Sequence, residues 1–221
     1  GPVLVTCARA PPQIGGTPTV MYELLRHFPR GSVVLVSKVQ SARHSEDDRR
    51  LDVEHHQVGR LSSLAYHSLF QLVTMPLTLL STMSIVHRMK EKPSSVLAVF
   101  PSLDFLAVSL VVSRLLRVPV SVYLHGCVLE AAASPVERAL ARMVEKWSIS
   151  HAKKVYSMSE PMRDYLRKRS METEVLPHGV DVSLMREPAR SSDPTKVKLG
   201  FAGMVYETNL GAMRDLVEAK R

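Results

Sequence analysis

Three short stretches of this chain combine residue types able to handle an anion or a proton, and each directly follows an apolar run: Pro12-Gln13-Ile14-Gly15-Gly16-Thr17-Pro18, His125-Gly126 and Ser159-Glu160. In the first, glycines let backbone amides approach a bound anion, and Thr17 as N-cap with Pro18 at the first helical position would open a helix whose positive end points the same way. A tight strand-to-helix turn explains the same residues equally well. His125 has a neighbour, Gly126, that permits close approach of a ligand, which sets it apart from the other histidines. As an alternative it only caps the strand end. Ser159 suits the N-cap of the next helix, and capping can be its whole role. The other conspicuous pair, His55-His56, would have to place adjacent side chains on opposite faces of a strand, which argues against a shared metal ion.

Composition removes several classes of function. Hydrophobic residues make up 45% and charged residues 23% of the 221, an ordinary globular balance. Cys7 and Cys127 form no CxxC, so neither a zinc site nor a disulfide framework is indicated, and a reducing cytosol is the expected setting. No basic segment leading into an apolar run and a cleavage site is visible. The formal charge of +8 favours anionic partners such as phosphates or acidic lipid headgroups. Nucleic acid is not expected, because aromatics are only 5% and the basic residues are scattered rather than interleaved with them.

Parallel strands alternating with helices would position these residues. Val3–Cys7 is followed by helical spacing over 17–28 and by the β-branched run Ser32–Ser37, one βαβ unit. The pattern recurs: Val96–Phe100 and a helix from about Asp104, Pro119–Leu124 and a helix over about Ser134–Ile149, Lys153–Ser157 and a helix over Glu160–Arg169, then a last strand over Met171–Leu176. The expected fold is α/β, a Rossmann-like doubly wound parallel sheet whose ligands sit at the carboxyl ends of the strands. A redox dinucleotide fold is excluded by the missing G-x-G-x-x-G and by Lys38, where an acidic residue would hold the ribose.

Two segments break the rhythm. Residues 41–59 are dense in charge and read as a solvated excursion with one short strand near Leu51–Val53. Leu61–Val86 contains no Asp, Glu, Lys or Arg, yet its many Ser and Thr dilute it below a spanning helix. It predicts one or two helices broken near Pro76, with an apolar face able to rest on an acidic membrane surface.

The ordered set Pro12-x-x-Gly15-Gly16, Val118-Pro119-Val120 through His125-Gly126, Val155–Glu160, Val175-Leu176-Pro177-His178-Gly179-Val180-Asp181 and Leu199-Gly200-Phe201-Ala202-Gly203 resembles the GT-B-fold glycosyltransferases of family 4. The resemblance covers essentially the whole chain. It implies an acceptor-side domain over 1–190 and a linker plus the first strand and helix of a truncated second Rossmann-like domain over 191–221. It implies retaining transfer of a hexose from a nucleotide-sugar to the hydroxyl of a glycan or lipid-linked acceptor, without a metal or other cofactor. Within it, Gly15 and Gly16 would approach the donor diphosphate and His125 would lie near the transferred sugar, beside Gly126. Gly179, Val180 and Asp181 would line the cleft, and Ser159, Glu160, Gly203 and Asn209 would complete the substrate contacts. His178 stands where the family often has Asn, and Met204 and Thr208-Asn209 occupy the stretch where it often has Arg and Lys. The family's paired glutamates would come after Arg221, so the isolated chain is expected to be inactive. The rival reading is a non-catalytic binding module or one half of a split enzyme.

Overall fold

The computed structural model describes residues 1–13, 15–39, 51–58, 68–100, 102–126 and 135–179, with four positions of a C-terminal helix (211, 214, 215 and 218). The chain divides into two compact units, Gly1–Asp181 and Val182–Arg221. Within the first, the elements run β1 (Val3–Cys7), α1 (Gly16–Leu25), β2 (Val33–Lys38), β3 (Glu54–Val58), α2 (Ser68–Arg88), β4 (Ser95–Phe100), α3 (Leu103–Leu116), β5 (Val120–Leu124), α4 (Pro135–His151), β6 (Lys154–Ser157), α5 (Glu160–Arg167) and β7 (Glu174–Val175).

All seven strands are parallel in the order β3-β2-β1-β4-β5-β6-β7, so the chain runs outward one way from β1 and then the other way from β4. That reversal opens a crevice at the carboxyl ends of the central strands. The central strands are apolar on both faces, as a sheet covered on both sides requires: β2 is buried throughout, and Leu4, Val5, Val96, Val122 and Leu124 are nearly inaccessible. One face packs on α1 through Val5, Val33, Leu35, Met21 and Leu25. The other packs on α2, α3 and α4, with Phe105, Val108 and Val112 of α3 at the centre.

Three expectations need correction. The outer strand starts at Glu54 rather than lying over Leu51–Val53, because register with β2 pairs Val36 with His56. An edge strand tolerates such polar residues, which also discourage a further strand from joining. Secondly, α2 runs unbroken through Pro76. A proline here removes one hydrogen bond and strains the turn, at a cost of about 3 kcal/mol. Met75, Leu79 and Met83, on both sides of it, pack on the same core and hold the helix together, while Pro76 itself faces solvent. Thirdly, β7 is limited to Glu174–Val175, since the amide of Met171 is taken by the Leu166 carbonyl in finishing α5.

Candidate functional site

The loop after β1 leads into α1 through Gly15, whose φ of 152° and ψ of 168° are rarely adopted by residues with a side chain. Gly15, not Thr17, is therefore the N-cap, and Pro18 lies within the first turn, buried. The helix gains no side-chain cap, and no acidic residue stands in its first turn. Its positive end is thus left to backbone amides, as an anion would need. A Cβ at Gly16 would meet nothing within 4 Å, so this turn presents bare backbone to open space.

Across the sheet, β5 delivers Tyr123 and His125 to its carboxyl end. The Tyr123 ring is buried and meets the His125 ring edge-on at 4.3 Å between centroids, and its hydroxyl donates to the Leu176 carbonyl at 2.9 Å. That bond ties the segment after β7 to β5 and brings His178 to 5.0 Å from His125. His125 Nε2 is buried and has no hydrogen-bond partner among the described residues. Burial lowers the His125 pKa to about 4, with the neighbouring His178 adding to the shift, and burial also lowers that of His178. Both rings are neutral near pH 7, so they can accept or donate hydrogen bonds without bringing charge. An unpartnered buried nitrogen costs stability unless something else satisfies it, and space is open beside it: a Cβ at Gly126 or at Gly179 would touch nothing within 4 Å.

A cavity of about 410 Å3 lies on the α1 side, lined by Val20, Leu24, Phe28, Tyr123, His178 and Gly179 among others. His125 does not line it, so the cavity adjoins the histidine pair through Tyr123 and His178. The sequence offered no sign of Tyr123, which alternates with Val122 and Leu124 in an ordinary buried strand.

The other named residues fare differently. Ser159 caps α5, its hydroxyl accepting the Met162 amide at 3.4 Å, and Glu160 forms an ion pair with Arg163. Both are engaged within their own helix. Val180, Asp181, Gly203 and Asn209 lie outside the described residues. His55 bonds to Ser37 Oγ at 2.8 Å and His56 to Glu54 at 2.7 Å, in different directions, and no group of three metal-ligating side chains exists among the described residues.

The sequence profile of glycosyltransferase family 4 matches residues 14–184. The chain belongs to that family. Solved structures agree on the fold, which is that of GT-B glycosyltransferases. Anabaena HepE in complex with UDP-glucose aligns with a TM-score of 0.57 at 13% identity, covering 98% of this chain and 49% of that one. HepE in complex with UDP alone aligns at 0.56 and 16% identity, covering 83% and 46%. TcCGT1 in complex with UDP aligns at 0.53 and 9% identity, covering 86% and 53%. This family 4 chain therefore spans about half the length of the structures it matches. No curated protein sequence matches it.

Proposed function

We propose that this chain is the acceptor-side part of a retaining glycosyltransferase that moves a hexose from a nucleotide-sugar to a hydroxyl of a glycan or lipid-linked acceptor. The observation that carries the reading is the unpartnered, neutral His125 at the carboxyl edge of the sheet in a family 4 chain. A sugar hydroxyl is the kind of group that would satisfy that nitrogen without needing charge. UDP complexes of the structural neighbours suggest uridine as the first nucleotide to test.

In transfer, the bond from the anomeric carbon to the diphosphate breaks with its electron pair leaving on the diphosphate. The acceptor oxygen forms the new bond, and its proton passes to the oxygen of the departing diphosphate. Negative charge develops on the leaving group, and Gly15, Gly16 and the uncapped start of α1 are suited to receive it, so the reading requires no metal. Gly126, Gly179, Val180 and Asp181 are assigned to the cleft, with Gly203 and Asn209 on the donor side. Ser159 and Glu160 are assigned through the end of α5 on which they sit. A cytosolic setting is part of this reading, and the buried Cys7, its thiol pushed up to about 12 by burial, takes no part in the transfer.

Transfer from labelled nucleotide-sugars by a protein carrying both halves tests the reading. The expected result is activity that survives a metal chelator and retains the anomeric configuration. Inverted product rejects the retaining assignment, and hydrolysis or transfer by the 221-residue chain alone rejects its expected inactivity. Donor contacts from the other half supply most of the positioning of the reacting carbon.

A further inference from the structure

Helix α2 buries several hydroxyl side chains and exposes several apolar ones. Its buried stripe is Thr74, Thr78, Thr82 and Val86, at most 6% exposed, with Met75, Leu79 and Met83 half-buried beside it, while Val73, Pro76, Leu77 and Leu80 face outward at helical spacing. The threonines can be buried because two of the hydroxyls bond within the helix: Thr78 Oγ1 donates to the Thr74 carbonyl and Thr82 Oγ1 to the Thr78 carbonyl at 2.8 Å. A helix that merely covered the core would turn charge to water, yet no residue from Ser68 to Val86 is Asp, Glu, Lys or Arg.

Helix α4, which touches α2 and packs with it on α3, exposes apolar residues as well. Val136, Ala139 and Met143 are exposed along one side, beside Arg138, Arg142 and Lys146, which recur every four residues and are also exposed. Of the eight large hydrophobic side chains exposed among the described residues, five lie on these two helices: Val73 at 74%, Leu77 at 53%, Leu80 at 67%, Val136 at 60% and Met143 at 61%. Of the two acidic residues of α4, Glu137 and Glu145, Glu145 is buried, so the three cations outnumber acidic residues on this helix's outer side. No described helix is long and apolar enough to cross a membrane.

We propose that the outer faces of α2 and α4 form a docking surface for an anionic lipid membrane, with the apolar stripes entering the headgroup boundary and the α4 cations meeting acidic lipid. Charge selects this occupant. Apolar residues alone would serve a protein partner as well, but three cations flanking them in a chain of net charge +8 match a negative surface and oppose a second copy of the chain. The surface is independent of the histidine pair and holds whichever sugar is transferred.

Flotation of the 221-residue chain with phosphatidylcholine vesicles, with and without phosphatidylglycerol, tests it. The expected result is binding to the anionic vesicles alone, weakened by salt. One basic residue near such a surface is worth roughly five-fold in partition, so R138A/R142A should lower binding about 30-fold. L77S/L80S should lower it by at least roughly 10-fold. All four positions are exposed, and an unchanged circular-dichroism melt confirms that each variant is folded. No binding to anionic vesicles at low salt overturns the proposal, as does binding untouched by either double substitution. A concentration-dependent dimer dispersed by L77S/L80S would overturn it in favour of an interface between copies.

Discussion

The two halves of the sheet's carboxyl edge treat buried polar groups in opposite ways. Around β1 and β2 those described here are matched inside the fold. Lys38 Nζ lies 2.9 Å from Asp104 Oδ2, an ion pair whose geometry falls short of a hydrogen bond, and Ser102 bonds to the other carboxylate oxygen. Ser37 meets His55, and Thr6 meets Ser109 at 2.6 Å. At β5 the arrangement stops short: Tyr123 is satisfied by Leu176, but the buried His125 Nε2 is not. Among these groups at the carboxyl edge, Asp104 still faces a cation, whereas His125 Nε2 faces no described polar group, which singles it out as a candidate for a bound ligand. The contrast also separates histidines that the sequence makes look alike, since His55 and His56 are spent on structure and His125 is not.

The largest expected effect lies at the completed end. Asp104→Ala leaves Lys38 as an uncompensated buried charge and should cost about 3–5 kcal/mol of folding stability, read from urea unfolding. A loss under about 1 kcal/mol would mean that Lys38 reaches water and that the pairing there is incidental. At the open end the expected loss is functional. His125→Ala in a protein carrying both halves should lower turnover on the order of 10²-fold while leaving the unfolding midpoint nearly unchanged. His55→Ala should leave turnover unchanged. Equal turnover in both variants would erase the contrast.

Acid sharpens the same comparison. The His125 pKa is lowered in the fold to about 4 from the ordinary 6.5, so the unfolded chain binds its proton first as pH falls. Its contribution to stability is therefore full above pH 6.5 and is lost progressively toward pH 4. His125→Gln should flatten that part of the stability profile, and an unchanged profile would assign the acid sensitivity elsewhere. The smallest effect belongs to Tyr123→Phe, which removes the tie to Leu176 and should cost about 1 kcal/mol. If the segment holding His178 depends on that tie, amide exchange should quicken after Leu176 and not in β5. Quickening throughout β5 would instead point to loss of packing.

Much of the fold was legible because its signals are local. The apolar runs at Val3–Cys7, Ser95–Phe100 and Val120–Leu124 and the amphipathic spacing between them are readable residue by residue, and parallel pairing follows from the alternation. Where local rules compete with packing, the sequence reading failed. Pro76 argues for a break until Met75, Leu79 and Met83 are seen on one core, and apolar Leu51 and Val53 draw the outer strand a few residues early until β2 supplies the register.

The site divides in the same way. Gly15-Gly16 and His125-Gly126 stand out because glycines and a histidine after apolar runs have chemical consequences that do not depend on their neighbours. By itself the sequence determined the parallel α/β architecture, the sheet edge on which the candidate site residues gather and, through its ordered motifs, the resemblance to family 4. Only the tertiary structure decided that Tyr123 joins the candidate site, that His178 stands beside His125, that the His125 nitrogen has no partner among the described residues, and that α2 turns its threonines inward. Each of these depends on which residues distant in sequence come within a few ångströms, as when Tyr123 reaches Leu176, and on the burial that results. Periodicity along a chain reports a residue's own side of a helix or strand, but not what faces it there.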